Sequence, residues 1–207
     1  KPKGEKKQFS PLTLWEKGGK YEWRFKAPSG LRPLYGLPGL LQYPDAVCWF
    51  VEGEKAAEAL QKLLPNHPIL CWQGGSQAVS KSDYSPLQCR DCVIFPDNDL
   101  AGKKAANDLV KQLTAASEGS VRVLDVEKLA LAPGWQDQGE ISTAILNDSE
   151  SLPIGDDAAD LVERGWNAEH FTLLLKREDV FISPDIKEEK PVNKSDEQQA
   201  EAVQRGF

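Results

Sequence analysis

Apolar positions along the chain follow two rhythms. Three segments are short and largely hydrophobic, AVCWFVE (46–52), HPILCW (67–72) and CVIF (92–95), and SVRVLDV (120–126) reads as a fourth strand. Such runs suit strands buried in a parallel sheet. Between them the period lengthens to that of a helix. In EKAAEALQKLL (54–64), Ala56, Ala57, Leu60, Leu63 and Leu64 recur at helical spacing, and Pro65 stops the segment. AGKKAANDLVKQLTAA (101–116) is a second amphipathic helix. Strand and helix in alternation predict an α/β fold, a parallel sheet with right-handed crossovers and helices on both faces.

The flanks are less regular. Residues 1–12 are Lys-rich and read as loose, and YEWRF (21–25) alternates like a strand. The Pro- and Gly-rich stretch that follows reads as an ordered loop with one helical turn. After residue 128 the pattern suggests a short helix set in a long insertion, LAPGWQDQGEISTAILNDSES. Helices are then expected over 156–166 and 168–175, and a linker or peripheral helix over 183–207. These breaks divide the chain into a basic N-terminal segment (1–45), an α/β domain (46–166) and a helical extension with linker (167–207).

Composition narrows the class. The 207 residues are 40% hydrophobic and 28% charged, with a mean hydropathy of −0.48. That permits a core and offers no run of the roughly 20 apolar residues a spanning helix needs. No membrane partner is expected. Four cysteines without a disulfide-like pattern favour the reducing cytoplasm. Cys89 and Cys92 form half of a zinc motif, but no second half lies at suitable spacing, and His67 and His170 stand alone. Lys1 in place of Met, and the lack of Met throughout, suggest a piece of a longer protein. The net charge of −7 argues against a general nucleic-acid binder, yet it is unevenly spread. Residues 1–36 hold nine Lys/Arg against three Glu, a surplus of six, which leaves −13 for the rest. A basic arm beside an acidic body fits phosphates that must approach metal-binding carboxylates.

The acids sit where such chemistry belongs. Open α/β sheets bind ligands at the carboxyl ends of their strands. The first strand ends in Glu52-Gly53 and the third runs into Pro96-Asp97-Asn98-Asp99. Asp97 and Asp99, two apart, share a direction in extended chain. Singly, these acids are ordinary helix caps. Together they form a candidate site for a hard divalent ion, which prefers oxygen ligands. Lys55, Lys81, Lys103 and Lys104 lie near them, as does the Gly74-Gly75 turn, which could admit a phosphate. Trp15, Trp23 and Trp72 could stack bases but are better read as core.

VEGEKAAEAL, QGG and VIFPDNDLAGKKAA resemble the Toprim domain of bacterial-type primases, topoisomerases and several nucleases. Pro33-Leu34-Tyr35-Gly36-Leu37-Pro38 is similar to a segment preceding that domain in primases of phage, plasmid and prophage replication. The resemblance spans roughly 32–126, and more weakly 152–166. It implies a Rossmann-like Toprim sheet with a basic N-terminal and a small helical C-terminal extension. It further implies Mg²⁺ (or Mn²⁺) held by Glu52, Asp97 and Asp99, with Glu52 as acid/base or metal-organising residue. A further acidic motif is expected: Gly155-Asp156-Asp157-Ala158-Ala159-Asp160 offers Asp157 and Asp160, with Asp137 as rival. Arg32, Lys55, Lys81, Lys103, Gly74 and Gly75 become candidates for nucleotide or template contact. The implied activity is RNA primer synthesis on single-stranded DNA from nucleoside triphosphates, with a helicase domain or partner. The alternatives are a Toprim nuclease and a non-catalytic binding module. The four tyrosines (Tyr21, Tyr35, Tyr43 and Tyr84) sit in no recognisable topoisomerase cleavage domain.

Overall fold

The structure, a computed structural model, describes residues 11–129 and 152–184. Asp137, the helix expected within 131–151, residues 1–10 of the expected loose segment and the helix or linker expected beyond 184 lie outside the described residues.

The body is a mixed α/β fold around a five-stranded, mostly parallel sheet. Ahead of it stand β1 (Leu12–Lys17) and β2 (Lys20–Phe25), an antiparallel hairpin. Its two-residue turn, Gly18-Gly19, has φ of 60° and 76°. A tight turn that matches strand twist needs both residues left-handed, and two glycines supply this without strain. The GG dipeptide between alternating segments was the available signal for β1, which the sequence reading left out.

A short helix α1 (Pro38–Gln42) leads to β3 (Cys48–Val51), α2 (Glu54–Leu63), β4 (Ile69–Cys71), a 3₁₀ turn (Ser76–Lys81) and β5 (Cys92–Ile94). Then come α3 (Leu100–Ala116), β6 (Val121–Leu124), α4 (Ala158–Glu163), α5 (Ala168–Leu174) and β7 (Phe181–Ile182). The order across the sheet is β4-β3-β5-β6-β7, parallel except for β7. The four expected strands became β3 to β6, each trimmed at its ends, because only the inner residues pair. The helix expected over 156–166 shortens to six residues. β7 was unforeseen; two residues carry no readable period.

Period-two alternation divides the core. Trp49, Val51, Ile69, Cys71, Val93 and Phe95 face α2, α4 and α5. Cys48, Phe50, Leu70, Trp72, Cys92 and Ile94 face α3 and the 3₁₀ turn. Phe171 and Leu174 of α5 are fully buried, with the Phe171 ring stacked on Phe95 at 6.2 Å. α5 and β7 lie past the boundary drawn at residue 166, yet belong to this core. Leu34, ahead of the boundary at 45, is also buried, and Tyr35 bridges to Cys71 at the sheet edge. Trp72 is buried as expected, whereas Trp23 is 66% exposed. The correction has a simple cause: a two-stranded hairpin has no interior of its own.

Cys92 lies inside β5, paired in register with Cys48 of β3, and its thiol donates to Arg90 O at 3.5 Å, while Cys89 is exposed. Buried in the sheet, Cys92 is turned to the core and not to a shared metal with Cys89. No described helix is long and apolar enough to cross a membrane.

The approach to the sheet is pinned by Arg90. Its guanidinium donates to the carbonyl oxygens of Tyr43 and Ala46, each at 2.8 Å, and to that of Pro44. Lysine cannot reproduce this planar fork. Arg90→Lys is therefore expected to lower stability by about 1 kcal/mol, measured by urea unfolding, because partly buried carbonyls lose partners.

Candidate metal and phosphate site

The chain leaves β3 toward β4 with α2 on one face, and leaves β5 toward β6 with α3 on the other. Where neighbouring parallel strands part in this way, a crevice opens at their carboxyl ends. Glu52 and Asp97 stand at that crevice. A cleft of about 840 Å³ is lined by Glu52, Asp97 and Asp157, with Arg32, Lys55 and the Gly74-Gly75 turn also on its wall.

Each acid is held by local structure. Glu52 is half-buried, beside the backbone amide of Ser76. Burial raises its pKa first, then the Asp99 charge; the Ser76 amide works against both. Asp99 is the N-cap of α3, accepting from Gly102 N at 2.6 Å. Asp157 caps α4, accepting from Ala159 N at 2.6 Å, and Asp160 accepts from Asp157 N at 2.9 Å to complete a capping box. Asp97 has no such helix duty. Its carboxyl is pushed up to about 7, by burial first and then by the charges of Glu52, Asp157, Asp99 and Asp160. Five carboxylates from three segments thus share one neighbourhood. Of the cap roles expected for Glu52, Asp97 and Asp99, only that of Asp99 is present, and Gly53, without a side-chain cap, starts the helix after Glu52.

Asn98 makes that gathering. It is buried, and its amide nitrogen donates to the carbonyls of Leu152 (2.7 Å) and Pro153 (3.2 Å). Its N–H donates to Asp156 O and its carbonyl accepts from Gly155 N, both at 2.9 Å. Neither Asn98 nor Gly102 was singled out from sequence. A Cβ on Gly102 would lie 2.4 Å from the Asp97 carbonyl oxygen, so only glycine lets α3 start this close to Asp97. Asp156 stays out of the cluster's work, ion-paired with Arg164.

The candidate cations divide. Arg32 donates to Gln73 O at 3.1 Å and lies against Gly74, where a Cβ would come within 2.8 Å of its guanidinium. Gly74 and Gly75 have φ of 106° and 73°, and Gly75 O accepts the Trp72 indole N–H at 2.9 Å. Lys55 is exposed at the cleft and reaches Glu163 at 3.5 Å. Lys81 and Lys103 do not line the cleft. Lys81 contributes its backbone carbonyl to Arg32 N, and Lys103 is ion-paired with Glu127, whose carboxyl it holds below the usual range.

Among the described residues, no three acid, His or Cys side chains form a ready-made metal cage. Mg²⁺ does not require one, since it binds through one or two carboxylates and retains waters. The donor set fits such an ion: carboxylate oxygens only, partly withdrawn from water, one with a strongly raised pKa. No family model, curated protein or solved structure matches this chain.

Two outcomes follow. Asp97 has a raised folded-state pKa, so its contribution to stability is full below the unfolded value near 4 and is lost as pH rises through about 7. In metal-free protein, Asp97→Asn should raise stability at pH 8 by on the order of 1 kcal/mol, discounted for partial solvent screening, and by much less at pH 4. Thermal unfolding at the two pH values measures this; added Mg²⁺ should stabilise the wild type at pH 8 and leave Asp97→Asn nearly unmoved. Asn98→Ala should cost about 1–3 kcal/mol in urea unfolding by orphaning buried carbonyls. It should also weaken Mg²⁺ stabilisation.

Proposed function

We propose that this chain is a Toprim-type catalytic core that makes RNA primers on single-stranded DNA, using Mg²⁺ or, in its place, Mn²⁺. The observation that carries the reading is the meeting of Glu52, Asp97 and Asp157 on one cleft, where Asp97 also feels the charges of Asp99 and Asp160. Acids packed this way are costly to a fold and serve one that binds cations.

The residues divide the work as follows. Arg32 and Lys55, on the cleft wall, hold the phosphates of an incoming nucleoside triphosphate. The Gly74-Gly75 turn lets those phosphates approach the backbone closely. Asp97 and Asp157 supply metal ligands from the cleft wall, with Asp99 and Asp160 fixing their surroundings through the helix caps. When bound, Mg²⁺ neutralises charge on the attacking and leaving oxygens. The 3′-hydroxyl oxygen of one nucleotide forms a bond to the α-phosphorus of the next. The α–β phosphoanhydride bond breaks and pyrophosphate leaves. Glu52, whose pKa burial raises, takes the hydroxyl proton. A helicase, in the same protein or as a partner, would expose the template.

Primer synthesis from labelled nucleotides on single-stranded template with Mg²⁺ tests this. Wild-type protein should yield short RNA, and Asp97→Ala should reduce the rate by on the order of 10²- to 10³-fold. Strand cleavage without synthesis would replace the reading with a phosphodiesterase, in which the same carboxylates activate water. Neither activity, in the presence of metal and helicase, would leave a binding module.

A further inference from the structure

The β1–β2 hairpin presents an exposed aromatic face. Residues two apart share a face of a strand. The register opposes Leu12 to Phe25, Leu14 to Trp23 and Glu16 to Tyr21, so one face gathers three rings and two leucines. Each of these five is at least half exposed, from 50% at Leu12 to 78% at Phe25. Every residue of β2 is exposed. Tyr21, Trp23 and Phe25 stand in a row, spaced by about 6.8 Å per two residues.

The surroundings identify the partner. Lys17, Lys20 and Arg24 alternate with the rings and so occupy the opposite face of the same ribbon, Arg24 ion-paired with Glu22 and Lys26 just beyond the strand, in a chain whose net charge is −7. Lys26 covers the Trp15 ring at 4.4 Å from its centroid, so this cation is anchored at the open end of the hairpin. Pro11 and Ala27, the residues flanking β1 and β2, line the same cleft as Glu52 and Asp97. A row of rings on one face, backed by cations on the other face of a ribbon only two strands wide and continuous with the cleft, matches a splayed single strand, whose bases stack while its phosphates reach lysines around the ribbon's edges. A duplex keeps its bases stacked inside and offers the rings nothing.

We propose that this aromatic face is a stacking platform for single-stranded nucleic acid, which it leads into the cleft at the base of the hairpin. The proposal deepens the primase reading and rests on it for the strand's role as template. Binding of a fluorescein-labelled 16-mer oligo(dT), followed by anisotropy in EDTA, tests it without any reaction. Valine keeps strand propensity while removing the ring. Trp23→Val and Phe25→Val should each weaken binding roughly tenfold, Trp23→Phe much less, and a labelled DNA duplex should bind weakly and with little sensitivity to either change. Thermal unfolding of the variants should match the wild type, because these side chains are exposed. Equal oligo(dT) affinity in the double valine variant would overturn the platform. So would a dimer, by sedimentation, that the double variant dissociates while oligonucleotide binding persists, since the face would then join two copies. Strand binding through Trp23 and Phe25 without primer synthesis would sink the primase reading and leave the platform. Primer synthesis that is insensitive to loss of the rings at limiting template would do the reverse.

Discussion

Asn98 is the joint on which the acidic crevice depends. A single buried side chain and its own peptide groups make four hydrogen bonds to the 152–156 segment, more than 50 residues away. Without them, the loop after β5 and the start of α4 would meet mainly through carboxylates, and at an effective dielectric of 20 two such charges 5 Å apart repel by roughly 3 kcal/mol. A neutral amide placed between two aspartates therefore holds together what Coulomb forces would separate. Its neutrality is essential: an aspartate there would turn lone pairs toward the carbonyls of Leu152 and Pro153.

The remaining acids are steadied by helix ends. Asp99 and Asp157 accept backbone N–H groups at the starts of α3 and α4, and the Ser76 amide at the start of the 3₁₀ turn favours the charged form of Glu52. Backbone donors are fixed partial charges that do not reorganise. They let the cluster fold without a cation while leaving Asp97, which caps no helix, in the most unfavourable electrostatic position. Local stability and ligand demand are thus divided among neighbouring residues of one loop.

Much of this was legible in the chain. Three of the apolar runs, β3 to β5, named their strands because burial on both faces leaves no alternation to misread, and Glu52, Asp97 and Asp99 stood out because strand ends are marked by the switch from apolar to polar. The period of α2 and α3 was long enough to be unambiguous. What escaped depended on distant partners. Nothing local distinguishes Asn98 from any other loop asparagine, since its meaning lies in residues 152–156. Gly102 reads as a poor helix residue until the Asp97 carbonyl is seen beneath it. Lys81 and Lys103 looked equivalent to Lys55 by sequence distance, but side-chain direction and the Glu127 partner separate them. Trp23 looked like core because hydrophobicity alone does not say whether a second layer covers a strand.

The edges of the sheet have a bearing on how the protein lives in a crowded solution. β6 would present unpaired peptide groups along one side, but the two residues of β7 close it from the opposite direction, with the Arg122 guanidinium lying over Phe181. At the other side, Tyr35 exchanges backbone hydrogen bonds with Cys71, and the chain continues into Gly36 and the proline-led α1. Short antiparallel closures and prolines are how native sheets avoid templating one another. Among the described residues, the central sheet is thereby shielded from strand-by-strand aggregation, and the flanks of the small hairpin are left as the place where such growth could begin.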